Sequence, residues 1–360
     1  RVARVRARPP RLTPAPARYT PYAAARALPN IVVDGAPLPS TVLTLSHWPN
    51  NQTPEALRRD TSTTTAFAYL DAPDLHQDVP WVTNNHFDED GLFSMYVVTE
   101  PTRALEHRAL LTAASFTGDF GIVTDENAAR LCFAVEALAD PEVSPLPAGI
   151  FAEPDRVAAL YSALLESLPA LLRDICDGWP RFGDLWDLQY EHLAASRALL
   201  ADGVVTLVES PALDLAVVRI PPYLRQRMVR RYLTDELAAV HPFAVNSATR
   251  CSRILRVQGA HYEFEYRYES WVQLATRRVP LRVRLDGLAA RLDELEGAPG
   301  WVAEDPTGTA PRLRRPDGTP SRIGLDSFLL ELEAALTSAP VAWDPYDWQK
   351  STTHSPGGDA

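Results

Sequence analysis

His86, Asp88 and Asp90 alternate along the segment Asn84-Asn85-His86-Phe87-Asp88-Glu89-Asp90-Gly91, which directly follows the apolar run Pro80-Trp81-Val82-Thr83. Carboxylates crowded into one place repel one another and need a cation. Mixed imidazole and carboxylate ligation suits manganese, iron, zinc or magnesium, with Mn2+ or Mg2+ favoured when carboxylates dominate. Asp34 closes the run Asn30-Ile31-Val32-Val33, and His47 lies just beyond Ser40–Leu45. If these runs are strands of one sheet, all five side chains gather at one end of it. Two ions about 3.5–4 Å apart are a recurrent device for in-line attack on phosphorus. Two other readings compete. Counted as an EF-hand loop from His86, acids fall at positions 3 and 5 and glycine at 6, but position 1 is histidine and position 12 is Val97, where glutamate is required. A plain strand-to-helix turn capped by Asp90 is the other.

The elements that must hold these residues follow from patterning. Three short β-branched runs end at Asp34, at Ser46-His47 and at Asn84, each bounded by turn residues, as in the buried strands of a parallel sheet. Helical stretches alternate with them: one beginning at Thr53-Pro54-Glu55 and others near 62–70, 91–98, 103–115 and 125–138. Strand–helix alternation specifies an α/β fold, mainly a parallel sheet flanked by helices. In such sheets ligands bind beyond the carboxyl ends of the strands, where these acids and histidines fall. Two long Leu/Ala-rich helices, 155–175 and 182–202, complete a first domain over 29–202. A second, smaller mixed α/β domain covers 203–340. Its strands are Val204–Glu209 and Leu213–Ile220, its hairpin joins Arg253–Val257 to Tyr262–Tyr266, and its helices are Pro221–Ala239, Asp286–Glu296 and Ile323–Thr337. Residues 1–28 read as a disordered arm, with seven arginines, dense proline and no acid, and 341–360 as a flexible tail.

Composition removes several function classes. The net charge of −11 argues against a general nucleic-acid coat and against stable duplex binding, though a short oligonucleotide in a local basic groove is compatible with it. Lys350 is the sole lysine, so the positive charge is arginine, a bias that a GC-rich genome also produces. Cys132, Cys176 and Cys251 form no CxxC pair, which disfavours cysteine-held zinc. No run of about 18 apolar residues occurs, so no membrane span is expected, and a cytoplasmic location is the default.

The acid and histidine segments resemble motifs of the DHH phosphoesterase superfamily. His86 to Ser94 is similar to its His-x-Asp-x-Asp-Gly-x-x-Ser motif, Val32-Val33-Asp34 to its strand ending in a lone aspartate, and Ser46-His47-Trp48 to its Asp-His-His motif. Asp60–Leu70 resembles the Ser/Thr/Ala-rich helix that follows, and Thr117-Gly118-Asp119-Phe120-Gly121 its later Thr-Asp-x-Gly-x-Phe segment. The resemblance implies two divalent ions, Mn2+ or Mg2+: His86 and Asp88 on the first, Asp90, His47 and Asp119 on the second, Asp34 bridging. His86, Asp88 and Asp90 would form the catalytic core. It spans about residues 30–140, with the His86 motif placed after the Asp34 and His47 segments rather than before them. Trp48 stands where the family has a second, substrate-facing histidine, and the family's Gly-Gly-Gly-His motif is missing from the C-terminal part.

A phosphate substrate, whether a small molecule or a short oligonucleotide, needs cations opposite the metals, and arginine supplies a planar fork of donors for it. Arg278, Arg267, Arg250 and His241 are the preferred candidates, with Trp48 on the substrate side. The aromatic residues between them would suit a stacked base. The competing reading makes Tyr262, Phe264 and Tyr266 one packed strand face and leaves Arg253 and Arg256 beside Glu263 and Glu265. His107 and His192 read as solvated helix positions. A non-catalytic nucleotide- or phosphate-binding module, or an interaction protein without a metal site, are the alternatives to an enzyme.

Overall fold

The structure is a computed structural model that describes residues 14–178, 180–230 and 236–347. Its first sheet has four strands, β1 (Arg18–Tyr19), β2 (Asn30–Val33), β3 (Thr41–Leu45) and β4 (Trp81–Thr83), in the order β1-β4-β2-β3 and all parallel. Every residue of β2 is buried, as expected of a strand covered on both faces. The chain's first helices are α1 (Tyr22–Ala25), α2 (Ser62–Leu70), α3 (Glu89–Thr99), α4 (Pro101–Glu106), α5 (Arg108–Phe120), α6 (Glu126–Ala139), α7 (Ala148–Ala152), α8 (Arg156–Asp177) and α9 (Gly183–Ala201). Helix α8 buries Leu160, Leu164, Leu168, Leu171, Leu172 and Ile175, a single apolar stripe at helical spacing, against the core formed by the sheet with α2, α3 and α6.

A second sheet is mixed. Strands β5 (Thr206–Ser210), β6 (Leu215–Ile220), β9 (Arg253–Gln258), β10 (His261–Tyr266), β12 (Val302–Ala303) and β13 (Arg312–Arg314) lie in the order β12-β13-β10-β9-β6-β5, with only β6 and β9 parallel. Strands β9 and β10 form a hairpin around Gly259, whose φ of 61° favours a residue without a Cβ. Tyr262, Phe264 and Tyr266 do line one packed face, against helices α11 (Asp286–Glu296) and α12 (Leu325–Ser338). The remaining elements are the pairs β7 (Arg227–Val229) with β8 (Glu236–Ala238) and β11 (Arg282–Val283) with β14 (Val341–Trp343), and the short helix α10 (Pro242–Ala248).

The α/β class and the mainly parallel sheet match the patterning. Several local expectations do not, among them the helix from Thr53, where only a single 3-10 turn forms, Glu55–Leu57, and the helix over 103–115, which breaks at His107. Residues 14–28 are not an arm, because Arg18–Tyr19 pairs with β4 and Ala17 and Ala25 are buried; residues 1–13 lie outside the described chain. Pro221–Ala239 is not a helix: two strand segments occupy the described parts of it, since its arginines carried no apolar period that could have fixed a helical face. The expected tail begins with a paired strand, β14, while 348–360 lie outside the described residues. Among the described residues no helix is long and apolar enough to cross a membrane.

The second sheet carries a half-buried charge lattice around the buried Glu265 that tests its stability. Arg256 bonds Glu265 at 2.6 Å and Glu263 at 3.2 Å, and Arg312 reaches Glu265 at 3.3 Å and Glu236 at 2.5 Å. Burial alone would raise the Glu265 pKa, but Arg256 and Arg312 outweigh it and hold it down at about 2, against an ordinary 4.5. A depressed folded pKa gives stability that is complete above the unfolded value and lost as pH falls from there toward about 2. Between pH 6 and pH 2.5 denaturant unfolding should therefore show a loss on the order of 3 kcal/mol from this group. Glu265→Gln should be destabilised at pH 6 and show a flatter acid limb. An acid limb identical in the two proteins would contradict this role.

Candidate metal centre

The carboxyl ends of β2, β3 and β4 lie side by side, and each delivers one part of the cluster. Asp34 follows β2 with φ of 46°, a left-handed conformation that a non-glycine residue adopts at some cost. Its amide donates to Leu45 O (3.0 Å), which ties the turn to β3. A Cβ on the next residue, Gly35, would lie 2.3 Å from Asn85 Oδ1 and 2.6 Å from Asn84 Oδ1, so a larger residue there must displace those side chains. His47 stands two residues beyond β3, and His86 three beyond β4. Asp88 caps α3, accepting from Gly91 N at 2.8 Å. The cap is thus Asp88, not Asp90, which points from the first turn of α3 into the interior. Asp119 comes from the last turn of α5.

These six side chains converge. His47 Nε2 lies 3.5 Å from Asp34 Oδ1, 3.9 Å from Asp90 Oδ2 and 3.4 Å from Asp119 Oδ2. His86 Nε2 lies 3.2 Å from Asp34 Oδ2 and 3.0 Å from Asp88 Oδ2. Two groups can therefore each hold a metal ion, Asp34 with His47 and Asp90, and Asp34 with His86 and Asp88. The Asp34 carboxylate belongs to both, one oxygen toward each histidine. The first group is fully buried; the His86 and Asp88 side chains are about a quarter exposed, at 25% and 27%. Asp34 Oδ2, His47 Nε2 and Asp119 Oδ2 are buried and meet only other members of the cluster, at 3.2–3.5 Å, a donor set that a divalent cation fits.

The surrounding chain fixes these ligand atoms. His47 Nδ1 donates to Asp60 O at 2.5 Å, which leaves Nε2 as the atom with a free lone pair. Ser62 Oγ donates to Asp34 Oδ1 at 2.7 Å and accepts from His47 N at 3.3 Å. The amides of Ser62 and Thr63, at the open N-terminus of α2, donate to the two oxygens of Asp90 at 2.6 and 2.8 Å. Thr61 closes a capping box with Thr64, so the α2 terminus is fixed in place. Asn84 bonds Tyr161 Oη of α8 at 2.8 Å.

Electrostatically the metal-free cluster is crowded. Burial and then the neighbouring aspartates, Asp90 first, push Asp119 well above the carboxylate range. Burial and Asp34 push Asp90 up to about 7. Burial opposes protonation of both histidines, yet Asp88 and Asp34 outweigh it at His86, and Asp34 with Asp90 at His47, so both shift upward. Asp34 moves the other way: burial would raise it, but hydrogen bonds and charge from His47 and His86 hold it low.

An aromatic wall flanks the exposed side. Trp48 lies over His86 with ring centroids 4.5 Å apart and edge-on to Trp271 at 5.2 Å. Trp271 stacks on Tyr268 and Trp343. Trp48 is therefore at the site, whereas the four cationic candidates of the second unit are elsewhere. Arg267 is buried, bonded to Glu269 (2.6 Å) and to the carbonyls of Thr249, Cys251 and Phe120. Arg278 is exposed and lies over Tyr346, 3.9 Å from its ring centroid. Arg250 is exposed, its carbonyl accepting from Arg277. His241 caps α10 in a separate cluster with Phe133, Phe243 and His192. His192 is buried there, not solvated. Among the described residues no arginine pairs with Asp34, Asp88, Asp90 or Asp119. Asp60, Ser62 and Thr63 are neighbours that sequence reasoning placed only within the Asp60–Leu70 segment, and Tyr268 one that it offered only as an aromatic for a stacked base. The Ser/Thr run of α2 was the one available signal for Ser62 and Thr63.

The chain matches, over residues 15–347, the family described as "Family of unknown function (DUF6687)", and it belongs to that family. No curated protein and no solved structure matches it.

Asp119 gives a direct test of the crowding. Its folded pKa lies above the unfolded value, so its ionisation works against the metal-free fold as pH rises past the ordinary carboxylate range. Asp119→Asn should raise the Tm of the EDTA-treated protein at pH 7.5 by a few degrees and reduce the Tm gain on adding Mn2+. Thermal scans of both proteins with and without metal measure this; a lower metal-free Tm together with an intact metal response refutes it.

Proposed function

We propose that this protein is a divalent-metal-dependent phosphoesterase or phosphoanhydride hydrolase, similar to the DHH superfamily with its motifs in permuted order. The observation that carries the reading is the Asp34 carboxylate shared between two His/Asp groups. His86 and Asp88 would hold one ion, His47, Asp90 and Asp119 the other, with Asp34 between them. When bound, a pair of ions such as Mn2+ or Mg2+ supplies Lewis acidity to water and to a phosphoryl oxygen.

The chain's own contribution is positional. Asp60 O sets the His47 tautomer, and the α2 amides hold Asp90 rigidly while each of its oxygens keeps a further lone pair. The exposed His86–Asp88 side admits substrate, and Trp48 forms the wall next to it. Among the described residues no arginine pairs with the cluster, so these offer a phosphate little positive charge at this point. A phosphate-containing small molecule or a short oligonucleotide fits such an opening.

A second reading is a nucleotide- or phosphate-binding module that keeps the fold without turnover. Trp48 favours it, because an indole covers His86 where the resembled family has a second imidazole.

The test is hydrolysis of bis(p-nitrophenyl) phosphate, a short oligonucleotide and pyrophosphate with added Mn2+. Turnover is expected on at least one of them, abolished by EDTA and reduced about 100-fold or more in Asp88→Ala and Asp90→Ala. Metal-dependent turnover that survives both substitutions sinks the assignment. Metal-dependent phosphate or nucleotide binding without turnover selects the second reading.

A further inference from the structure

Within the segment Asp60 to Thr63, three residues touch three of the ligand candidates. Asp60 O orients the His47 ring, Ser62 holds Asp34, Asp90 and the His47 amide, and Thr63 holds the other oxygen of Asp90. The backbone of this segment therefore sets where the buried group sits. The Asp60 side chain faces away from the cluster toward the second unit. There it accepts from Ala275 N at 2.7 Å, Thr276 N at 2.9 Å and Thr276 Oγ1 at 2.5 Å. Asp60 is buried whereas Ala275 and Thr276 are exposed, so these bonds are shielded from water on the Asp60 side only. The same strand of chain grips the His47 loop directly. Gln273 N donates to His47 O at 2.8 Å, Gln273 Oε1 accepts from Asn51, and Gln273 Nε2 donates to Pro345 O. Val272 and Leu274 pack with Phe120, the residue after Asp119.

We propose that Asp60 is a positioning residue, a latch through which residues 273–276 of the second unit fix the His47 imidazole and complete the buried half of the metal centre. The carboxylate does not touch the ligand atoms. It acts by holding its own carbonyl against His47 Nδ1–H, so that losing the carboxylate frees the ring to change tautomer and angle. The part of this inference that concerns metal rests on the proposed function; the part that concerns His47 does not.

The experiment uses the full chain, as wild type, Asp60→Ala and Asp60→Asn, the last keeping one carbonyl oxygen for the two amides. Folding is checked by circular dichroism and Tm. Isothermal titration with Mn2+ counts ions, and selective 15N-histidine NMR on the metal-free proteins reads the tautomer of His47. In the wild type a protected Nδ1–H is expected. In Asp60→Ala that proton should be lost or exchange at least 10-fold faster. One Mn2+ should bind 10–100-fold more weakly, the range for losing an outer partner of a ligand, while the other is little changed. Asp60→Asn should recover most of both signals. A folded Asp60→Ala protein with the wild-type His47 tautomer and exchange rate overturns the latch. Absence of Mn2+ binding in the wild type overturns the metal reading instead, and the His47 resonance still decides the latch. Should Asp60→Ala fail to fold, Thr276→Val, which removes one of the three bonds, must show the same change in smaller measure or the latch is rejected.

Discussion

Four aspartates and two histidines brought within ion-pair distance, most of them out of water, set the terms for everything around them. Uncompensated, such a group is costly, because each buried carboxylate raises the energy of ionising its neighbours. The chain offsets this by local means: the amides at the N-terminus of α2 on Asp90, the Ser62 hydroxyl on Asp34, the Asp88 cap on α3. What those devices leave over is a set of inward-facing atoms, Asp34 Oδ2, His47 Nε2 and Asp119 Oδ2, that meet only other titratable members of the cluster.

The architecture follows from this requirement. A parallel sheet places consecutive strand ends on one edge, so Asp34, His47 and His86 need no long excursions to meet. The tight turn at Asp34 and Gly35, with its left-handed aspartate, spends backbone strain to aim one carboxylate between two imidazoles. Helix α5 then contributes Asp119 from its carbonyl end, where the helix dipole itself is negative and a cation is welcome.

The strand ends were legible because short β-branched runs closed by turn residues have one structural meaning, and because acids at such ends have few other uses. Helix α2 was legible from its Ser/Thr start and alanine-rich body. The arginines were not. A side chain that reaches as far as arginine can pair with a distant carbonyl or carboxylate that no local pattern reveals, and Arg267 finds Glu269 and three carbonyls instead of a substrate. Asp60 was overlooked for the same reason: its partners, Ala275 and Thr276, lie more than 200 positions away. The stretch 221–239 failed differently, through the lack of any apolar period to choose between helix and strand.

The Asp60 contact also orders events in time. The chain that carries all six ligand candidates is complete at residue 119, yet the residues that clasp Asp60 are synthesised 215 and 216 positions after it. Closing so long a loop costs only slightly more entropy than closing a shorter one, since the penalty grows with the logarithm of length. The delay is therefore kinetic rather than energetic. Until residues 275 and 276 have been synthesised, the Asp60 carboxylate has none of the three partners that hold it in the folded chain.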